Sequence, residues 1–158
     1  MIDADIDFNK KICILGIGNR MRGDDGFGSV LAAELSSSLG QSGNYLIIDS
    51  GTVPENYIGR IIKFDPGVVV VVDAIKFDAG PPGGFEFADY RMLSEDSQST
   101  HGISVKMISE TLKSEMGAEI FVLAVKAVNF ELSETLSGEL IKLKNEFMKY
   151  FKEGLCTS

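Results

Sequence analysis

The stretch 12-ICILGIGNRMRGDDGFG-28 runs from an apolar segment through a glycine-rich turn into Phe27, Leu31, Leu35 and Leu39, a helical spacing that ends at Gly40. Strand, tight turn and helix in that order form the opening unit of an α/β fold. Such a turn usually cradles a phosphate on the free N–H groups of the helix start. Here two carboxylates, Asp24 and Asp25, occupy the place where that negative charge would sit. The spacing disagrees with a nucleotide site as well. After Gly16 and Gly18 the third glycine of G-x-G-x-x-G is replaced by Met21, and no G-K-[ST] is present. The two acids are left with two readings, a helix cap or a ligand for a cation.

Working outward, strand and helix patterns alternate. Strands are expected at Lys11–Ile17, Tyr45–Asp49, Val68–Ala74 and Glu119–Val125, with a brief edge strand at 85-FEF-87. Helices are expected at Gly26–Leu39, Glu55–Phe64 and Ile103–Met116, the last with an apolar face of Ile103, Met107, Ile108 and Leu112. A C-terminal helix carries Leu136, Leu140, Leu143, Phe147 and Tyr150. The run 68-VVVVV-72 is apolar on both faces, as a central parallel strand requires. The expected fold is α/β, a three-layer α/β/α sandwich in which helices flank a mostly parallel twisted sheet. One domain is expected over 1–158, with an N-terminal extension at 1–10 and a tail at 152–158.

The chain has 158 residues and a net charge of −8, which argues against nucleic acid, whose phosphates call for basic patches. No apolar run approaches the roughly 20 residues that span a bilayer, so no membrane association is expected. The acidic start 1-MIDADIDFNKK-11 lacks the pattern of a secretory signal, and the cytoplasm is the expected compartment. Cys13 and Cys156 form no C-x-x-C pair; they are expected to be a buried apolar side chain and a loose tail thiol.

Ligands of open α/β sheets gather at the carboxyl ends of the strands, where strand order reverses. Three strands lead into acids there: Asp24 and Asp25, Asp49, and Asp73. The one histidine, His101, lies in the polar loop 93-LSEDSQSTHG-102 and can return to the same edge. Two carboxylates and an imidazole suit a divalent transition ion with open positions. For Asp24 the cap is the favoured reading, and for Asp49 a role in the 50-SGT-52 turn. Asp73, closing a run of five valines, calls for a partner. No G-x-S-x-G or H-E-x-x-H occurs, so a conventional serine hydrolase or zinc protease is excluded.

Together, 16-GIGNRMRGDDGFG-28, 48-IDSGTVPEN-56, 71-VVDAIKFDAGPPG-83 and 100-THGISVKMI-108 resemble the hydrogenase maturation proteases. Those endopeptidases trim the C-terminus of the large subunit of nickel–iron hydrogenases. The resemblance implies metal contact by Asp25, Asp73 and His101, with Asp25 and Asp73 as the catalytic carboxylates and Asp24 as structural support. It implies that nickel arrives with the substrate, the precursor of a [NiFe]-hydrogenase large subunit, at an exposed site of too few ligands to keep its own ion. A monomer is expected. Two departures stand out: Ser50 replaces a glycine of the family's D-G-G-T turn, and 124-AVKAVNF-130 lacks the glycine and proline of its G-[IV]-[QE]-P-like segment. The competing class is a non-enzymatic nickel-responsive chaperone or binding protein of hydrogenase assembly.

Overall fold

Five residues of unbroken apolar sequence, Ile12–Gly16, form strand β1 with every side chain buried. The computed structural model describes residues 2–75, 81, 83–93 and 105–157. A 3-10 turn at Gly23–Gly26 leads into helix α1, Phe27–Leu39, and the chain returns as β2, Tyr45–Asp49. A second 3-10 turn opens α2, Ile58–Phe64, which stops at Asp65 in the left-handed conformation just before Pro66. Aspartate tolerates that conformation, and proline cannot continue a helix. Then come β3, Val68–Ile75, the short β4, Phe85–Ala88, helix α3, Val105–Met116, β5, Glu119–Lys126, and α4, Gly138–Thr157.

The sheet order is β2-β1-β3-β5-β4, parallel except for the edge strand β4, which runs antiparallel to β5. Alternation along β1 and β3 splits the core in two. Ile12, Ile14, Val68, Val70 and Val72 meet Phe27, Leu31 and Leu35 of α1 and Leu140, Phe147 and Phe151 of α4. Cys13, Leu15, Val69 and Val71 meet Ile61 of α2 and Val105, Ile108 and Leu112 of α3. Helices therefore cover both faces, giving the expected three layers. No helix among the described residues is long and apolar enough to cross a membrane.

Three expectations need correction. The tail expected at 152–158 is helical as far as Thr157, and Phe151 and Leu155 carry the buried stripe of α4 past Tyr150. Cys156 is exposed, but on that last turn rather than in a loose tail. In α3 the buried stripe is Val105, Ile108, Ser109 and Leu112, in which Ile108 and Ser109 lie three and four residues after Val105 and Leu112 lies four and three after them, while Met107 points to solvent; Ile103 lies outside the described residues.

Two glycines set how closely α1 meets the sheet. A Cβ on Gly28 would lie 2.3 Å from the Val72 carbonyl oxygen and 2.4 Å from that of Ile17; on Gly16 it would lie 2.0 Å from the Gly28 oxygen. These are backbone obstacles that cannot rotate away. Gly28→Ala should therefore cost about 3 kcal/mol or more, read as a lower denaturation midpoint with an unchanged slope. Burial pushes the Cys13 thiol up to about 12. A thiol reagent at neutral pH should label one cysteine per native chain, Cys156, and both after unfolding.

Candidate functional site

Strand order reverses between β1 and β3: the chain leaves β1 for the β2 side, and β3 for the β5 side. The carboxyl ends of these two strands therefore flank the crevice where an open α/β sheet presents its ligand site. β1 runs out into the loop that ends in the 3-10 turn of Asp24 and Asp25, and that turn rests on β3. The junction is closed by the Ile17 N–H donating to the Val72 carbonyl at 2.9 Å. Asp73 follows Val72 within β3, in register with Ala124 of β5. Asp25 and Asp73 thus belong to one edge, as their strand positions predict, while His101 lies outside the described residues.

Both acids are more enclosed than the open site expected from the sequence, Asp25 at 1% and Asp73 at 0% exposure. Buried carboxylates attract a cation far more strongly than solvated ones do, because the medium between them screens less. Among the described residues, no group of three histidine, cysteine, aspartate or glutamate side chains is placed to hold a metal ion.

The turn itself is held by Asn19. Its side-chain oxygen accepts from the Met21 N–H at 2.9 Å, and its own N–H donates to the Asp25 carbonyl at 3.1 Å.

Asp24 does not cap α1. The residue before that helix is Gly26, and no side chain bonds to the helix start. The fully buried carboxylate reaches across the fold instead. Its Oδ2 accepts from the N–H groups of Val128 and Asn129 at 2.8 and 2.9 Å and from the Ser137 hydroxyl at 2.9 Å. Its Oδ1 accepts from the Ser137 N–H at 2.7 Å, directly before α4 begins. Backbone bonds reinforce the join: Asp24 N–H to Asn129 O, Gly23 N–H to Ser133 O, and Ser133 N–H to Met21 O. So the segment 124–130, without the family's glycine and proline, is held by a carboxylate from the opposite end of the sequence. Nothing local announces such a contact; Asp24 and Ser137 are 113 residues apart.

Asp49 takes the structural role favoured for it, with a partner that the sequence did not indicate. Its Oδ2 meets Arg20 Nη2 at 2.6 Å, and its Oδ1 accepts from the Ser29 hydroxyl at 2.6 Å and the Gly51 N–H at 3.1 Å. Ser50, in place of a glycine, needs no unusual backbone; the left-handed residue of that turn is Gly51, at φ 56°. The Ser50 hydroxyl donates to the Gly16 carbonyl at 2.8 Å, tying β2 to the end of β1.

A model of the hydrogenase maturation protease family, HycI, matches residues 30–149. The chain belongs to the hydrogenase maturation protease family. The match starts just after the turn that carries Asp25 and includes Asp73 and His101. The hydrogenase 3 maturation protease of Escherichia coli K12 is 33% identical over 110 residues, 69% of either chain. The crystal structure of the [NiFe] hydrogenase maturation protease HycI from Thermococcus kodakarensis aligns with a TM-score of 0.84 at 34% identity, over 94% of both chains. The solution structure of the E. coli endopeptidase HycI aligns at 0.74 and 26%, over 88% of this chain and 87% of that one. Hydrogenase maturation proteases are endopeptidases.

The Asp24 clamp gives a direct test. Asp24→Asn removes a charge that four donors converge on, and each such bond is worth about 1.5–3 kcal/mol. The variant should lose about 2–4 kcal/mol in urea unfolding, and exchange of the Val128 and Asn129 amides should accelerate.

Proposed function

We propose that this protein removes a C-terminal peptide from the nickel-loaded precursor of a [NiFe]-hydrogenase large subunit, in the cytoplasm and as a monomer. Asp25, Asp73 and His101 are the residues that meet the nickel, which comes with the substrate. The observation that carries the reading is the pair of buried carboxylates at the strand-order reversal, in a chain of the hydrogenase maturation protease family.

Precursor thiolates hold the ion, and the enzyme completes its coordination with oxygen and nitrogen donors. A precursor without nickel brings no cation for these residues to meet, so its tail is bound more weakly. Metal loading is thereby read as a difference in affinity. In the cleavage step, Asp25 or Asp73 serves as general base toward a water that attacks the scissile carbonyl. The water loses a proton to the carboxylate as its oxygen bonds to the carbonyl carbon; the C–N bond then breaks and the departing amine takes up a proton. The ion positions the tail and draws charge from the carbonyl oxygen.

The experiment presents the protein with nickel-loaded and nickel-free large-subunit precursor and follows the mass of the large subunit. Loss of a short C-terminal peptide from the loaded form alone is expected. Asp25→Asn, Asp73→Asn and His101→Ala should each slow processing by about a hundredfold or more. Equal processing of both precursors would remove nickel gating, and unimpaired processing by all three variants would remove the site. Nickel-dependent binding without cleavage would identify a chaperone of hydrogenase assembly instead.

A further inference from the structure

Next to the edge that carries Asp25 is a cleft of about 410 Å3, lined by Asn19, Arg20, Asp49, Thr52 and Tyr57 among others. Arg20 is fixed in it. Its Nε donates to Ser29 Oγ at 2.8 Å, and its Nη2 to the Ser29 carbonyl at 3.2 Å and to Asp49 Oδ2 at 2.6 Å. Asp49 is engaged through both oxygens, since Oδ1 holds the Ser29 hydroxyl and the Gly51 N–H. The guanidinium therefore has its plane and position set from one side. Its third nitrogen, Nη1, makes no hydrogen bond among the described residues, and the side chain is 46% exposed. The hydroxyls of Thr52 and Tyr57, on the same lining, make none among those residues either.

The cleft thus holds surplus donors and an acid whose oxygens are already engaged. Such a lining recognises a group made of acceptors. The N–H donors left on Nη1 are directed by the bonds that Nε and Nη2 already make, so they can meet a carboxylate oxygen at a fixed place, and a lysine here would match the charge but lack the bonds that set that direction. A purely structural tie to Asp49 and Ser29 uses Nε and Nη2 and leaves Nη1 without a role.

We infer that this cleft is a substrate subsite in which Arg20, with Thr52 and Tyr57, binds a carboxylate of the peptide being processed, which makes Arg20 a specificity-determining residue. The inference rests on the peptidase reading above and adds to it a chemical preference in the substrate. That carboxylate has two sources, an Asp or Glu side chain beside the cut, or the α-carboxylate that ends the tail.

The test uses synthetic peptides spanning the cut and the tail of the large-subunit precursor, bound to the intact protein and followed by fluorescence anisotropy. Each Asp or Glu is replaced in turn by Asn or Gln, and one further peptide ends in an amide. Wild type should bind one of these about tenfold more weakly than the parent peptide, and which one it is names the source of the carboxylate. Arg20→Lys should weaken binding of the parent peptide by a similar factor, and should cause no further loss on that one neutralised peptide. Equal binding of every peptide by wild type would overturn the subsite, without reliance on any variant that fails to fold. So would an Arg20→Lys loss that is the same on all peptides. Processing of the whole precursor is scored separately. A precursor left uncut while the peptides still show the coupling sinks the peptidase reading and leaves the subsite standing; cleavage without the coupling does the reverse.

Discussion

Everything at the ligand-facing edge depends on how closely helix α1 can come to the ends of strands β1 and β3. The contact is backbone on backbone, with Gly16 under the Gly28 carbonyl and Gly28 against the carbonyls of Ile17 and Val72. A side chain at either position would push the helix outward. With the helix close, the turn before it lies on β3, and its two acids are delivered to the strand-order reversal. In a nucleotide-binding fold the same approach brings phosphate to free N–H groups. Here the geometry is kept while the charge at its end has changed sign.

The carboxylates in that neighbourhood divide according to what surrounds them. Asp24 is surrounded by donors from the segment that follows β5 and becomes a rivet. Asp49 is neutralised by Arg20 and hydrogen-bonded by Ser29. Asp25 and Asp73 stay buried at the edge where the fold presents a ligand. Burying an acid is costly unless partners compensate, so each position carries a commitment to a specific environment. The rivet has a further consequence. It joins the β1 loop to the approach to α4, so both sides of the edge are held by one anion.

Most of the fold was legible because long apolar periodicities survive any arrangement of their neighbours. The valine run of β3 can only be a strand covered on both faces, and the three-and-four spacing of α4 can only be a helix with one buried stripe. Legibility failed where a residue's role depends on distant chain. Lys152, Glu153 and Gly154 interrupt the apolar pattern between Phe151 and Leu155, so the sequence pattern alone does not carry the helix to Thr157. Met107 fits the core of α3 on hydrophobicity alone, yet the stripe that packs on the sheet is Val105, Ile108, Ser109 and Leu112. Asp24 had the local signature of a helix cap, but its donors come from more than 100 residues away. Arg20 carried no periodic or motif signal at all, because its meaning comes from Asp49 and Ser29.

The sequence by itself determined the order of strands and helices, the parallel character of the central sheet, the family, and the edge of the sheet to which Asp25 and Asp73 belong. Those follow from covalent order, from alternation, and from the rule that parallel strands end on one side. The tertiary structure alone decided which acid is a rivet, which is paired and which is buried at the ligand edge. A carboxylate has no fixed role of its own. It takes one from the donors and cations within about 3 Å of it, and those are chosen by the packing of segments that the chain order keeps far apart.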